Sequence, residues 1–365
     1  MKILHIITTL QMGGAEKLMV DLLPRMQAKG RTAELLLIDG TRTPFYEQLE
    51  QKGVTIHSLA MGGGNVYNPL HIWQLIRFLR KNKYDVVHTH NTASQLFAAI
   101  AAKVLCSVVL CTTEHNTSNR RRNLKWYRPI DRWMYRQYKA VICISDQTEE
   151  NLKNHINDNR VTTRTIYNGI DVSTYANARP NSELSAAKGQ KKVIAMVAAF
   201  RYQKDQDTLV KAIKLLPNDY ELWLIGDGER RSIVETLAET EGVADRVKFL
   251  GIRSDVPSVL KVVDVVTHSS HIEGFGLAAV EAMAVGKPVV ASDVAGLADI
   301  VDGYGILFPH GDAQALTAKV LKLMTDKDYY NNVAAKCSAR AADFDISKMV
   351  DGYLDVYREI TQTSK

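Results

Sequence analysis

The chain has 365 residues, 46% of them hydrophobic and 24% charged, with a formal net charge of +6. Those values belong to a soluble globular protein long enough for two domains, each with its own core. No apolar run approaches the roughly 20 residues needed to cross a bilayer. The modest positive charge fits anionic ligands without arguing for nucleic acid, since no nucleic-acid module accompanies it.

Met1 to Leu10 is apolar, but Gln11-Met12-Gly13-Gly14 offers no small-residue cleavage site, so the start predicts a first strand and not a signal peptide. Short apolar runs predict strands at 3–8, 33–38, 54–59, 84–89, 107–112, 140–144 and 162–167. A second series follows at 192–199, 221–225, 246–250, 263–268, 288–291 and 305–308. Amphipathic stretches such as Glu16 to Ala28 and Pro69 to Lys81 predict helices in the gaps. This alternation predicts parallel sheets with helices on both faces. The polar, aperiodic segment 176–192 is expected to be a linker. The domains expected on this basis are 1–175 and 193–345, with 346–365 as a final helical segment. Cys106, Cys111, Cys143 and Cys337 show no CxxC spacing and predict buried, reduced thiols in a cytoplasmic protein.

Ligands in such sheets sit beyond the carboxyl ends of strands, and many unusual residues here follow strands. Gly13-Gly14-Ala15-Glu16 follows the first strand and opens a helix, where glycines admit a phosphate and free N–H groups bind it. A tight strand–helix turn is the plainer alternative. The dinucleotide spacing G-x-G-x-x-G is absent there and again at Gly226-Asp227-Gly228. His88-Thr89-His90-Asn91 and Thr113-Glu114-His115-Asn116 end two strands of the first half. No Cys or carboxylate cluster at ligand spacing makes them a metal pair. A histidine that hydrogen-bonds a sugar or acceptor hydroxyl is expected at His115. Tyr167-Asn168-Gly169-Ile170-Asp171 predicts a turn.

Arg201 and Lys204 follow the strand at 192–199, and a guanidinium fork beside a mobile ammonium suits a diphosphate. Asp205-Gln206-Asp207 contains a D-x-D triplet, but acids opening a helix are expected to cap its N–H groups. The most informative stretch is His271 to Asp293, HIEGFGLAAVEAMAVGKPVVASD. Glu273 falls in a loop before the helix starts. Glu281 lies within an almost wholly apolar helix, where a lone carboxylate is costly unless a polar group meets it. A pair of sugar hydroxyls is a suitable partner. One basic, aromatic segment, 117–140, holds Arg120, Arg121, Arg122, Lys125, Arg128, Arg132, Arg136 and Lys139 interleaved with Trp126, Tyr127, Trp133, Met134, Tyr135 and Tyr138. It fits either an anionic membrane surface or a solvated helix face over a core.

Taken together, these motifs resemble the E-x7-E family of family-four retaining glycosyltransferases, along nearly the whole chain. Gly13-Gly14-Ala15-Glu16 resembles that family's glycine-rich first loop, and Asn168-Gly169-Ile170-Asp171 its N-G-[IV]-D turn. Arg201-x-x-Lys204 resembles its diphosphate pair, Gly226-Asp227-Gly228 its G-x-G turn, and Phe249-Leu250-Gly251 its strand before the base pocket. The resemblance implies the GT-B fold: α/β, two Rossmann-like doubly wound domains facing each other across a cleft, with a final helix (Ile346 to Thr361) crossing back to the first. It implies that Glu273 meets hydroxyls of the donor sugar and Glu281 the ribose. Arg201 and Lys204 would grip the diphosphate. Gly13 and Gly14, with the backbone of Gly274, Phe275, Gly276 and Leu277, would lie by phosphate or sugar. Gly226, Gly228, Ile252 and Arg253 would lie by the nucleotide, and His115 near the reacting carbon. Departures are Phe200-Arg201-Tyr202, where the family often has Gly-Arg-Leu, and Asp205, where it often has Gly.

The expected function is metal-independent, retaining transfer from a nucleoside-diphosphate sugar, UDP-linked first and GDP-mannose next, to a glycan or polyprenyl-linked acceptor in surface-polysaccharide or glycoconjugate assembly. No cofactor is expected beyond the donor, and the location expected is cytoplasmic, peripheral at the inner membrane face. The alternatives are a nucleotide-sugar epimerase or hydrolase of the same fold, and a non-catalytic nucleotide-sugar sensor.

Overall fold

The structure is a computed structural model, which describes residues 1–11, 13–62, 64–115 and 125–362. The chain divides into two compact units, Met1–Asn168 with Ile346–Lys365, and Gly169–Asp345.

Among the described residues the first unit holds seven strands: β1 (Lys2–Ile7), β2 (Thr32–Asp39), β3 (Ile56–Ala60), β4 (Val86–Thr89), β5 (Leu110–Glu114), β6 (Ala140–Cys143) and β7 (Thr163–Thr165). They form one parallel sheet in the order β3-β2-β1-β4-β5-β6-β7. Successive side chains of a strand point to opposite faces, and here both faces are buried. Ile3, Ile7, Leu35 and Leu37 join a cluster under the helices Gly14–Ala28 and Ile346–Gln362. Leu4, Ile6, Leu36 and Ile38 join a cluster under the helices Leu70–Lys81 and Thr92–Leu105. Apolar residues at both alternating positions are what a doubly covered parallel sheet requires.

The second unit holds β8 (Lys192–Val197), β9 (Tyr220–Ile225), β10 (Val247–Gly251), β11 (Val265–His268), β12 (Val289–Ser292) and β13 (Ile306–Phe308). These six are parallel in the order β10-β9-β8-β11-β12-β13. Trp223 and Tyr220 of β9 and Phe308 of β13 are among its largest fully buried side chains.

Three expectations are corrected. The segment 176–192 is not a bare linker: Ser182–Lys188 is helical, with Asn181 accepting from the Leu184 N–H at 2.9 Å, and it lies wholly within the second unit. Its polarity reflects a short surface helix with no buried residue. The fifth strand runs three residues later at its start than its apolar run predicts, because Cys106 ends the preceding helix in a left-handed conformation (φ 55°). Cys106 is exposed there, whereas Cys111, Cys143 and Cys337 are buried. No helix among the described residues is long and apolar enough to cross a membrane.

Candidate active site

The strand order decides where ligands can go. In both sheets the order reverses beside the first strand, between β1 and β4 and between β8 and β11, and crevices open beyond the carboxyl ends at such points.

In the second unit, the loop after β8 carries Arg201 and Lys204, and the loop after β11 carries Ser269 to Gly276. Backbone and hydroxyl bonds tie these loops together. The His271 N–H donates to the Gln203 carbonyl at 2.9 Å, and Ser269 Oγ donates to the Asp205 carbonyl at 2.6 Å. Lys204 Nζ meets Glu273 Oε2 at 2.5 Å in a half-buried pair. Glu273 Oε1 accepts from the Gly274 N–H at 3.1 Å. Arg201 is exposed, and among the described residues its guanidinium has no hydrogen bond or ion pair. One cation is thus oriented by a carboxylate and the other stands ready for an anion.

Phe275 is buried next to Gly276, which adopts φ 95° and caps the helix Leu277–Ala284. A Cβ on Gly276 would lie 2.8 Å from Leu297 Cδ2, so the turn needs glycine twice over. The first N–H groups of the helix have no acceptor within it and leave a positive end where a phosphate or sugar oxygen can bind. Glu281 is the fifth residue of this helix and only 8% exposed; its buried neighbours there are Ala279, Val280, Ala282, Met283 and Ala284.

Asp205 explains one departure from the family pattern. Its φ is 50°, the left-handed region that favours glycine, and aspartate tolerates it better than most residues. The carboxylate then caps the helix Gln206–Leu215, accepting from the Thr208 N–H at 3.3 Å and the Thr208 hydroxyl at 2.6 Å. Asp207 pairs with Arg230 at 2.7 Å. Both acids of the D-x-D triplet therefore have structural partners. Gly226 follows β9 with φ 133°, and a Cβ there would come 2.1 Å from the Ala198 carbonyl oxygen. A Cβ on Gly228 would lie 2.6 Å from the Phe200 carbonyl oxygen, so this turn packs directly on the loop that bears Arg201. Ile252 follows β10 and is 64% exposed. Arg253 beside it turns its fork onto Asp255, at 2.7 and 2.8 Å.

His268, at the end of β11, has no assigned role in the sequence reading. It is buried, its Nε2 has no hydrogen-bond partner among the described residues, and it lies within the field of Glu273 and Lys204. Burial pushes its pKa down to about 4, with the pull of Glu273 acting the other way.

In the first unit, Gly13 is the extended cap of the helix Gly14–Ala28, and a Cβ on Gly14 would point into open space. His115 follows β5 and is half-buried. Behind it lies a cluster that the sequence reading did not assemble. His90 Nδ1 is 3.0 Å from His115 Nε2, and His90 Nε2 is 2.8 Å from His5 Nδ1. His88 bonds Tyr357 and, at 2.8 Å, Thr113. His5, His88 and His90 could bring one nitrogen each within 4.8 Å of one another, the spacing of a metal site. A metal there would have to break the bonds that already occupy both nitrogens of His88 and of His90.

Burial holds His5 near pKa 3 and His115 near 4, against an ordinary value of about 6.5. With the folded values depressed, the unfolded chain binds protons first as pH falls. The contribution of these groups and of His268 is therefore complete above about pH 6.5 and is lost between pH 6.5 and about 3, with His115 and His268 spent by about 4. The thermal midpoint should be flat above neutrality and fall through that window; a midpoint constant down to pH 4 would contradict the buried, neutral histidines.

The arginines of the basic segment are placed differently from the expectation of a free cationic face. Residues 117–124, with Arg120, Arg121 and Arg122, lie outside the described residues. Arg128 donates to the carbonyls of His155 and, at 2.7 Å, Asn154; Arg132 donates to the Ile156 carbonyl at 2.5 Å. They satisfy the open carbonyl end of the helix Asp146–Ile156, where cations also meet the negative end of the dipole. Arg136 pairs with Asp158 at 2.6 Å.

Two units of Rossmann-like topology, each with polar and charged residues gathered at the carboxyl ends of its strands, define the GT-B fold. The family described as Glycosyltransferase Family 4 matches residues 12–174, and that described as Glycosyl transferases group 1 matches 179–342. The chain belongs to the family-four glycosyltransferases. An uncharacterized glycosyltransferase of Methanocaldococcus jannaschii is 28% identical over 331 residues, which cover 87% of this chain and 88% of that protein. The UDP-Gal:alpha-D-GlcNAc-diphosphoundecaprenol alpha-1,3-galactosyltransferase of Escherichia coli is 27% identical over 301 residues, covering 78% and 77%. The crystal structure of Anabaena HepE in complex with UDP superposes with a TM-score of 0.85 at 22% identity, covering 98% of this chain and 100% of that one.

Proposed function

We propose that this glycosyltransferase moves a sugar, with retention of anomeric configuration and without a metal, from a UDP-sugar to a glycan or polyprenyl-linked acceptor in surface-polysaccharide or glycoconjugate assembly. The observation that carries the reading is the arrangement beyond β8 and β11: Lys204 held by Glu273 at 2.5 Å, beside an unengaged Arg201. The second unit binds the donor. Arg201 and Lys204 take the diphosphate and stabilise the charge that grows on the departing oxygen. Glu281 accepts from the ribose hydroxyls, and Gly226, Gly228 and Ile252 flank the nucleotide. Glu273 accepts from hydroxyls of the donor sugar. Its two oxygens are held by Lys204 and Gly274, which suits a positioning carboxylate better than a nucleophile, and agrees with attack on the face that the diphosphate leaves. The first unit takes the acceptor side, where the Gly13–Gly14 turn offers N–H groups to an oxyanion and His115 a hydrogen bond to a sugar hydroxyl. Two cations at the diphosphate take the part that a divalent ion would otherwise play.

The galactosyltransferase of Escherichia coli names both a UDP donor and a diphosphoundecaprenol acceptor, which supports those classes for this chain. The helix Arg128–Tyr135 and the turn before it expose Trp126, Ile130 and Trp133, 63%, 41% and 37% accessible. That i, i+4, i+7 stripe gives one apolar face, and we assign it to the cytoplasmic membrane surface where a lipid-linked acceptor would lie.

Thermal stability against UDP-, GDP-, ADP- and CMP-sugars, first with a chelator and then with magnesium, tests the donor. A ligand at about 100 times its dissociation constant adds roughly 2.7 kcal/mol, a rise on the order of 5–10 °C for a domain of this size. A rise with UDP-sugars under chelation is expected. A rise only with magnesium would overturn metal independence, and a rise with another nucleotide alone would overturn the donor.

A further inference from the structure

The contacts among His5, His90 and His115 restrict where their protons can be. Each nitrogen–nitrogen contact, at 2.8 and 3.0 Å, needs one N–H and one lone pair. Burial keeps all three rings neutral, and a neutral imidazole has a single N–H. His90 therefore donates through one nitrogen and accepts through the other, so the two contacts share one direction. Only two arrangements remain. In one, His5 donates from Nδ1, His90 donates from Nδ1, and His115 accepts at Nε2 and keeps its own proton on Nδ1. In the other, every proton moves to Nε2, and His115 presents a lone pair at Nδ1.

His5 distinguishes them. Its Nε2 is buried without a hydrogen-bond partner among the described residues. The second arrangement would leave an N–H orphaned there, whereas the first leaves only a lone pair. Orphaned buried donors are the rarer of the two in folded proteins. His88 closes the remaining route. It stacks on His90 with ring centroids 4.3 Å apart, yet its own nitrogens are occupied by Tyr357 and Thr113, so it cannot relay a proton to the chain.

We propose that His5 and His90 are positioning residues that fix His115 as its Nδ1–H tautomer, so that His115 meets the substrate as a neutral hydrogen-bond donor and not as a base. The proposal rests on the reading of His115 as a substrate-facing residue. A donor in that place suits the oxygen of a leaving phosphate or a sugar hydroxyl, where an oriented N–H stabilises developing negative charge.

The test uses the full chain labelled with 15N at its imidazoles, with the His115 signals assigned by their loss in His115→Ala. The expected spectrum shows a protonated Nδ1 and an unprotonated Nε2. A protonated Nε2 would overturn the proposal without any variant of the chain behind it. His5→Phe keeps a ring but removes the donor; His115 should then show mixed tautomers, and kcat should fall about tenfold or more with KM for the donor sugar little changed. His5→Asn places an amide N–H near the former Nδ1 and should restore the single tautomer and most of kcat. A folded His5→Phe with unchanged His115 signals and unchanged kcat would overturn the proposal. Undiminished turnover in His115→Ala would instead overturn the substrate role of His115, and the tautomer would still be decided by the spectrum alone.

Discussion

Lys204→Ala should lower kcat for sugar transfer by about 10²–10³-fold, the usual loss when one preorganised charge or donor at a developing anion is removed. Two effects combine at this position. The ammonium proposed to meet the departing diphosphate is gone, and Glu273, half-buried and held at 2.5 Å by that ammonium, loses the partner that orients it. Arg201→Ala removes a cation with no partner among the described residues, so it should weaken diphosphate binding without disturbing Glu273. The signature is therefore a kcat loss for Lys204→Ala that exceeds the loss for Arg201→Ala, measured with saturating donor. Glu273→Gln separates the terms further, since it keeps the shape of the side chain while removing its charge from Lys204. A Lys204→Ala enzyme within about threefold of the parent kcat would contradict a charge-stabilising role for this site.

Glu281→Ala should weaken nucleoside-diphosphate binding by roughly 10- to 100-fold while the chain remains folded. Glu281 is 8% exposed in a helix otherwise built of leucine, alanine, valine and methionine, and alanine is the best residue for a helix interior, so the helix should survive the change. On the proposed reading, ribose hydroxyls donating to the carboxylate would supply charge-assisted hydrogen bonds of about 1.5–3 kcal/mol. Titration calorimetry with UDP checks this directly. Unchanged affinity in a folded variant would mean that the carboxylate serves some other partner within its own unit.

The polar residues at strand ends were legible in the sequence because they break an apolar pattern. Glu281 stands out in a helix that otherwise needs no charge, and Arg201 and Lys204 stand out directly after β8. Most strands among the described residues were legible for the same reason, since short apolar runs recur between amphipathic helices; β7 (Thr163–Thr165) is the exception, a polar edge strand with no buried residue. The end of β5 was not legible, because Thr113 and Glu114 look like a polar loop. They are buried in the sheet, where Glu114 accepts from Gln95 and Tyr135, each at 2.6 Å. The histidine chain was illegible because its members are 85 and 25 positions apart and meet only when β1, β4 and β5 lie side by side. Composition also could not show that Arg128 and Arg132 are spent on the end of a neighbouring helix, since a capping arginine and a membrane-facing one are the same residue in sequence.

The most direct test of the transferase reading is release of UDP from a UDP-sugar, in chelator, with and without a diphosphopolyprenyl glycan acceptor. The arrangement of Arg201, Lys204 and Glu273 predicts release that requires the acceptor, persists without metal and is matched by glycosylated product. Release at the same rate without acceptor would identify a hydrolase, conversion of the donor to a different sugar nucleotide an epimerase, and either result would contradict the account.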